Sequence, residues 1–226
     1  MIIITGASRG IGAYLLDSFV RRYQRVVGTY NNTLSDKNIN LLYKVDITNP
    51  SETTSFITSI KDQLDQIVLI NCAGNNYNTL SHKADLSKWI QTVNTNLVGT
   101  FNMIHAVLPL MREQGYGRII NLSSVVGQKG IAGTSAYAAS KSGLWGLTRA
   151  IAIENAKKGV TINNINLGYF DIGMITEVPT EILSIIKTSI PMGILGNPVD
   201  IFKTVEYLID CSYITGTSID LNGGLY

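Results

Sequence analysis

Tyr137 and Lys141 are the residues of this chain whose types and spacing most directly suggest chemistry. A separation of four residues places a phenol and an ammonium on the same face of a helix, one turn apart. A phenol with an unperturbed pKa of about 10 is a poor proton donor or acceptor near neutral pH, and a neighbouring cation lowers that pKa. The pair therefore suggests a tyrosine that exchanges a proton with a substrate. The spacing alone is weak, so the surrounding elements must decide.

Three glycines near the start of the chain suggest a phosphate site. Gly6, Gly10 and Gly12 lie between a short apolar run at residues 2–4 and an amphipathic segment at 13–23. A glycine turn between a strand and a helix is where doubly wound folds hold a dinucleotide pyrophosphate against backbone amides. The spacing GxxxGxG differs from the GxGxxG fingerprint, so the motif alone is weak. The alternative is that the glycines serve only a tight turn.

The elements that must position these residues alternate between buried strands and helices. Strands are predicted at residues 2–4, 26–30, 41–45, 67–70, 118–122, 160–167 and 218–221. Helices are predicted at residues 13–23, 87–114, 135–158 and 199–209, and a further helix is predicted to begin at residue 50. Continuous apolar strands alternating with helices indicate a parallel sheet that is covered on both faces. We expect an α/β fold, a single Rossmann-type doubly wound domain of about seven strands over residues 1–226. A glycine-rich loop follows the fifth strand, and a substrate lid is expected at about 171–190.

Composition excludes several classes of function. The chain has 226 residues, 45% of them hydrophobic, and a formal net charge of +2, so nothing calls for nucleic acid or a membrane surface. Cys72 and Cys211 lie far apart and indicate reduced thiols, and we expect a cytoplasmic protein. His82 and His105 lack the spacing of metal ligands, so no metal is predicted.

Taken together, the motifs resemble those of the short-chain dehydrogenase/reductase family. The resemblance rests on motifs that run in order over nearly the whole chain: Thr5-Gly6-Ala7-Ser8-Arg9-Gly10-Ile11-Gly12, Asn71-Cys72-Ala73-Gly74, Asn96, Ser124, Tyr137-x-x-x-Lys141 and Ile214-Thr215-Gly216-x-x-x-Asp220-x-Asn222-Gly223-Gly224. The pattern is most similar to that of the 3-oxoacyl-(acyl carrier protein) reductases within the family.

The resemblance implies four catalytic residues. Tyr137 would exchange the proton of the substrate oxygen, and Lys141 would lower the tyrosine pKa and hold the nicotinamide ribose. Ser124, thirteen residues before Tyr137, would hydrogen-bond the substrate carbonyl. Asn96 would anchor a water that leads protons to the lysine. The alternatives are a turn serine at 124 and a solvent-facing or locally bonded helix residue at 96.

The cofactor is expected to be NADP(H) rather than NAD(H). Where NAD-binding folds place an acidic residue, at the end of the second strand, this chain has Asn31, and Arg9 in the glycine turn could pair with a 2′-phosphate. The resemblance implies that Asp46 and Ile47 contact the adenine. The expected cofactor-binding residues are Gly6, Ser8, Arg9, Gly10, Ile11, Gly12, Asn31, Asp46, Ile47, Asn71, Ala73, Gly74, Tyr137, Lys141 and Gly168.

Two departures from the family pattern follow the sixth strand. Leu167 replaces a proline, and Ile172 replaces a threonine near the carboxamide of the cofactor. Both could alter nicotinamide positioning.

The sequence thus predicts an NADPH-dependent carbonyl reductase, acting on a 3-oxoacyl thioester or similar ketone. The alternatives are a sugar, polyol or secondary-alcohol dehydrogenase and a non-catalytic dinucleotide-binding relative. The resemblance implies a homotetramer or homodimer. Acyl carrier protein is a further expected partner, with Arg112 and Arg118 as docking residues.

Overall fold

The computed structural model describes residues 1–225, apart from the side chains of Met174 and Glu177. Seven parallel strands form one sheet in the order β3-β2-β1-β4-β5-β6-β7. The strands are β1 Ile2–Ile4, β2 Val26–Tyr30, β3 Leu42–Lys44, β4 Val68–Asn71, β5 Gly117–Ser124, β6 Val160–Leu167 and β7 Ser218–Leu221. The helices are α1 Gly10–Val20, α2 Pro50–Ser59, α3 Leu86–Val93, α4 Gly99–Gln114, α5 Val126–Lys129, α6 Ser135–Asn155, α7 Thr180–Ser189 and α8 Pro198–Asp210.

The strand order confirms the predicted doubly wound fold. The chain adds β2 and β3 on one side of β1, then crosses to place β4 and the later strands on the other side. In such sheets the ligand crevice lies outside the carboxyl ends of the strands where the order reverses. Here that place is the junction of β1 and β4, directly above the glycine turn.

Buried apolar side chains cover both faces of the sheet. One cluster joins α1 and α8 to the sheet through residues such as Leu15, Phe19 and Phe202. The other joins α2 and α4 to the opposite face through residues such as Phe56 and Met103. The two layers fix the sheet between helices, so its carboxyl edge is a rigid platform for side chains.

The structure differs from the sequence-based prediction near β5. This strand extends to Ser124, because its register with β6 continues to the pair Ser124 and Leu167. The short helix α5 then occupies part of the expected glycine loop, and the Ser142 hydroxyl donates to the Gly127 carbonyl at 2.6 Å. The expected lid contains a 3₁₀ turn at Gly173–Glu177 and helix α7.

Within residues 1–225, no helix combines the length and apolar character needed to cross a membrane.

Candidate active site

Helix α6 carries both members of the tyrosine–lysine pair past the end of β5. The Lys141 side chain is buried, and its Nζ atom lies 5.6 Å from the centre of the Tyr137 ring. The same Nζ donates a hydrogen bond of 2.7 Å to the carbonyl oxygen of Leu122 in β5. The two side chains therefore share one helix face, as the spacing predicts.

Ser124 is brought to this pair as the last residue of β5. Its hydroxyl oxygen accepts a hydrogen bond from the Val126 amide at 3.1 Å, which leaves the hydroxyl proton free to donate. Its proximity to the phenol of Tyr137 opposes the rise in the pKa of that group. Ser124 is buried at the end of the strand, and its bond to the Val126 amide is the bond of a turn serine, so its catalytic role stays a prediction beside that alternative.

Burial governs the ionisation of the site. It raises the pKa of Tyr137 above its usual 10.0. It also lowers the pKa of Lys141 from 10.5 to about 8, since the charged form of an amine is disfavoured away from water. Desolvation of the phenol is the largest effect on the pKa of Tyr137 in the protein alone, and the expected lowering by Lys141 stays a prediction.

Cys72 is a half-buried thiol near the lysine. Burial raises the pKa of its thiol to about 12, and the charge on Lys141 opposes that rise. The thiol is thus neutral at physiological pH and does not neutralise Lys141.

Asn96 lies in a π-helical segment, Asn94–Val98, between α3 and α4. Its Oδ1 accepts from the Asn75 amide at 2.9 Å, and its Nδ2 donates to the Asn75 carbonyl at 2.9 Å and to Ser140 Oγ at 3.1 Å. A Cβ at Gly74 would lie 3.1 Å from Asn96 Oδ1 and 3.8 Å from Lys141 Nζ. Asn96 thus joins the loop after β4 to α6 beside the lysine, and it does not face solvent. Its role in proton transfer stays a prediction.

The glycine turn is held by close backbone packing. A Cβ at Gly6 would lie 2.7 Å from Ala73 Cα, and one at Gly12 would lie 2.2 Å from the Gly6 oxygen. The turn therefore requires glycine at both positions, and their contact with a pyrophosphate stays a prediction. Gly10 also has a positive φ, +54°, which favours glycine, but it is less tightly packed, since its nearest neighbour is Gly173, at 3.3 Å from an added Cβ.

Thr5 is a residue of this turn that the sequence-based list of binding residues missed. Its Oγ1 accepts hydrogen bonds from the backbone amides of Cys72 and Ala73, both at 3.0 Å. The bonds tie the end of β1 to the loop after β4. Its position directly before Gly6 in the sequence was the signal that could have identified Thr5 as part of the turn.

The predicted adenosine contacts lie at the ends of β2 and β3. Asp46 Oδ1 accepts from the amide and hydroxyl of Thr48 at 2.9 and 2.7 Å, and its Oδ2 has no partner among the described residues. Ile47 is buried, and Asn31 is exposed. Arg9 is exposed too, and the ion pairs formed within the described chain do not include it.

Asn71 is the last residue of β4. Its side chain is 5% exposed, and its Nδ2 donates to Asn121 Oδ1 at 2.9 Å inside the sheet. The side-chain amide therefore bonds the neighbouring strand on one face of the sheet, because Asn71 and Asn121 occupy paired positions, and its contact with the cofactor stays a prediction.

Gly168 and the two departures follow β6. A Cβ at Gly168 would lie 2.7 Å from Asn222 Cα, so glycine is required there by close packing. Leu167 is buried, and its carbonyl accepts from the Val125 amide at 2.9 Å. Ile172 packs against the apolar cluster beneath α1. Both replacements are thus accommodated by apolar packing.

The two arginines expected to dock an acyl carrier protein are engaged within the chain. Arg118 is 7% exposed, and its Nε donates to the Ile209 carbonyl at 3.0 Å. Arg112 Nη1 donates to Asn155 Oδ1 at 2.6 Å. The docking role of Arg118 is therefore wrong, since a buried guanidinium offers no surface charge.

A nicotinamide dinucleotide suits the residues of this cleft. The first turn of α1 contains no acidic side chain, which keeps the positive end of the helix dipole open to phosphate. Asn75 Oδ1 is buried beside Asn96 without a hydrogen-bond partner in the described chain, so a bound group could supply a donor there. Among the described residues, no cluster of three or more His, Cys, Asp or Glu side chains is placed to hold a metal ion.

Comparisons with known proteins agree with this geometry. A family model described as short chain dehydrogenase matches residues 1–182. Acetoacetyl-CoA reductase of Rhizobium meliloti is 36% identical over 99% of the chain and 97% of its own length. The 3-oxoacyl-(acyl carrier protein) reductase of Salmonella typhimurium is 32% identical over 99% of the chain and 96% of its own length. A solved structure from Agrobacterium tumefaciens, named as a candidate gluconate dehydrogenase, has the same fold. Its TM-score is 0.90 at 24% identity, over 100% of this chain and 95% of the other.

Proposed function

Since the chain belongs to the short-chain dehydrogenase/reductase family, and is an NAD(P)-dependent oxidoreductase acting on CH–OH or keto groups, we propose that it is an NADPH-dependent reductase of 3-oxoacyl thioesters. The observation that carries the proposal is the convergence of Ser124, Tyr137 and Lys141 at the carboxyl end of β5. A bound nicotinamide dinucleotide supplies the hydride for such a reduction.

The protein side chains supply the proton and stabilise charge on the substrate oxygen. The free proton of the Ser124 hydroxyl can be donated to a ketone oxygen, which stabilises the negative charge that develops there. The phenol of Tyr137 is protonated at neutral pH, since burial raises its pKa, and it would give its proton to that oxygen as negative charge develops there. The Lys141 ammonium favours an anionic neighbour once the phenol has lost its proton.

A small apolar cluster around Tyr137 supports an acyl substrate. Buried Val125, Val126, Ile190 and Leu225 pack together, with Tyr137, Ala138, Tyr169, Ile186 and Leu195 against them. The cluster joins α6 to the lid segment that carries α7, and it gives the site an apolar wall. Two relatives named as reductases of acetoacetyl-CoA and of 3-oxoacyl carrier thioesters favour that substrate class.

Arg9 supports NADPH as the reductant. Its exposed guanidinium flanks the glycine turn, and Asn31 at the end of β2 carries no negative charge to repel a 2′-phosphate. A planar guanidinium pairs well with phosphate oxygens.

A homotetramer or homodimer is part of the same proposal. Leu86, Ile90, Phe101 and Ile153 are 74%, 52%, 42% and 83% exposed, on α3, α4 and α6. Exposed apolar groups of this size favour burial against a second copy. Light scattering of the purified protein tests the assembly. An acyl carrier protein as the thioester carrier gains no support from Arg118.

The reductase is tested by following NADPH oxidation with acetoacetyl-CoA and, in parallel, NADP⁺ reduction with secondary alcohols and polyols. Acetoacetyl-CoA reduction that far exceeds alcohol oxidation supports the proposal. Preferred turnover of a polyol would indicate the dehydrogenase instead. NADPH binding without turnover across a broad ketone panel would indicate a non-catalytic nucleotide-binding protein.

A further inference from the structure

Four polar side chains form a buried row across the sheet beneath α6. Asn71, Asn121, Asn164 and Ser218 occupy paired positions on β4, β5, β6 and β7. Asn71 Nδ2 donates to Asn121 Oδ1 at 2.9 Å, Asn121 Nδ2 to Asn164 Oδ1 at 3.3 Å, and Asn164 Nδ2 to Ser218 Oγ at 3.1 Å. We call this row the polar ladder. The three asparagines are at most 5% exposed, so each unmade bond would be costly.

The polar ladder is also bonded to α6. Asn121 Nδ2 donates to Thr148 Oγ1 at 3.0 Å, and Thr148 Oγ1 donates to Asn164 Oδ1 at 2.8 Å. Thr148 is fully buried and lies seven residues, two turns, after Lys141 on the same helix face. The hydroxyl of Thr148 therefore links the polar ladder to the helix that carries the catalytic pair, and Asn164 Nδ2 adds a weaker bond of 3.4 Å to the Leu144 carbonyl.

Further hydrogen bonds hold the catalytic half of α6 to the sheet. Ser123 Oγ donates to the Lys141 carbonyl at 3.1 Å, and Trp145 Nε1 donates to Asn166 Oδ1 at 3.1 Å. Farther along α6, Ile151 and Ala152 join the apolar cluster instead. Apolar contacts are non-directional and permit sliding, whereas hydrogen bonds require a defined distance and angle.

We propose that Thr148, Asn121 and Asn164 are positioning residues, which fix the height of α6 over β5 so that Tyr137 stays opposite Ser124. The proposal rests on the proposed function in one respect, namely that Tyr137 and Ser124 act on the same substrate oxygen. A small misplacement of catalytic groups can cost up to about 100-fold in rate even when its cause is remote. The ladder would thus affect turnover without contacting substrate or cofactor.

Three variants test the proposal. Thr148→Val removes the linking hydroxyl at nearly constant volume, and Thr148→Ser restores it. Thr53→Val is the matched control, because Thr53 is equally buried but donates only to the Pro50 carbonyl of its own helix, at 2.9 Å. Steady-state kinetics with NADPH and acetoacetyl-CoA give kcat and both KM values, and urea unfolding gives stability.

Thr148→Val is expected to lower kcat about tenfold and to change the KM for NADPH less than about twofold. Thr148→Ser is expected to recover kcat to within about twofold of the native value, and Thr53→Val to retain it. A native kcat in Thr148→Val, or an equal loss in Thr53→Val at equal loss of stability, would overturn the proposal.

Hydrogen exchange of the α6 amides separates this proposal from the proposed function. Faster exchange over residues 136–148 is expected in Thr148→Val and not in Thr53→Val. If the native protein reduces no ketone, the proposed function is refuted. Comparing hydrogen exchange in Thr148→Val and Thr53→Val would still decide whether the polar ladder holds α6. Unchanged exchange in Thr148→Val would refute the ladder whatever the native enzyme reduces.

Discussion

Lys141 Nζ lies 5.6 Å from the centre of the Tyr137 ring but gives its hydrogen bond to the Leu122 carbonyl, at 2.7 Å. The ammonium is thus held by the sheet within reach of the phenol, and it does not bond the phenol directly. Because burial raises the tyrosine pKa, the phenol remains protonated at neutral pH. This state suits a proton donor, which is what reduction of a ketone requires.

Tyr137→Phe is expected to lower ketone reduction at least about 100-fold, because it removes the acidic proton while keeping the ring. NADPH affinity should change little, since the substitution leaves the glycine turn intact. Kinetics and fluorescence titration measure the two quantities. Tyr43→Phe is the control, since Tyr43 packs on Phe56 at the far edge of the sheet. Substantial activity in Tyr137→Phe would refute the proton-donor role.

Lys141 should leave a signature in the pH dependence of stability. The pKa of its side-chain amine is about 8 in the folded protein, against its ordinary value of 10.5. Between these values the unfolded chain keeps the proton that the folded chain has lost, so stability rises with pH by up to about 1.4 kcal/mol per unit. Below about pH 8 the full penalty of the buried charge applies.

The measurement is urea unfolding from about pH 7 to about pH 10, comparing Cys72→Ala with Cys72→Ala/Lys141→Met. The Cys72 substitution is needed because burial raises the thiol pKa from 9.0 to about 12, which makes stability fall with pH above 9. Methionine at 141 should be most stabilising near pH 7, and its advantage should shrink as pH rises through 8. A constant advantage across that range would mean that Lys141 keeps its ordinary pKa.

Arg9→Ala is expected to weaken NADPH binding about 10- to 100-fold, because it removes a charge-assisted hydrogen bond between the guanidinium and the 2′-phosphate. NADH binding should change less than about twofold, since NADH lacks the 2′-phosphate. Isothermal titration with both nucleotides measures the difference. Arg149→Ala removes an exposed arginine from α6 and serves as the control. Equal weakening of both nucleotides would show that Arg9 does not recognise the phosphate.

Two glycine-to-alanine changes should have opposite effects on stability. Gly12→Ala places a Cβ 2.2 Å from the Gly6 oxygen, and we expect a loss of at least about 3 kcal/mol. Gly146→Ala meets nothing within 4 Å on α6, so helix propensity should add up to about 1 kcal/mol. Thermal and urea unfolding measure both. Similar effects of the two changes would contradict the close approach of α1 to the turn.

The fold could be predicted because its signals are local in the sequence. Continuous apolar runs indicate buried strands, and the glycine turn indicates a connection from strand to helix. Strand β6 has the predicted bounds, 160–167. The inward direction of Asn71 was not predictable, because it depends on the register of β4 with β5. Spacing gives the distance from Tyr137 to a cation on one helix, but it does not give the desolvation that packing imposes, which raises the pKa of Tyr137 in the protein alone.

The bonds from Thr5 to the amides of Cys72 and Ala73 join residues more than sixty positions apart. Gly6 packs on the same loop, so the glycine turn reaches its final shape only when β4 lies beside β1. During synthesis, the chain must therefore emerge from the ribosome past residue 73 before the glycine turn can take the shape that binds a nucleotide. A peptide comprising only the first strand, turn and helix would lack the support that shapes its anion-binding loop.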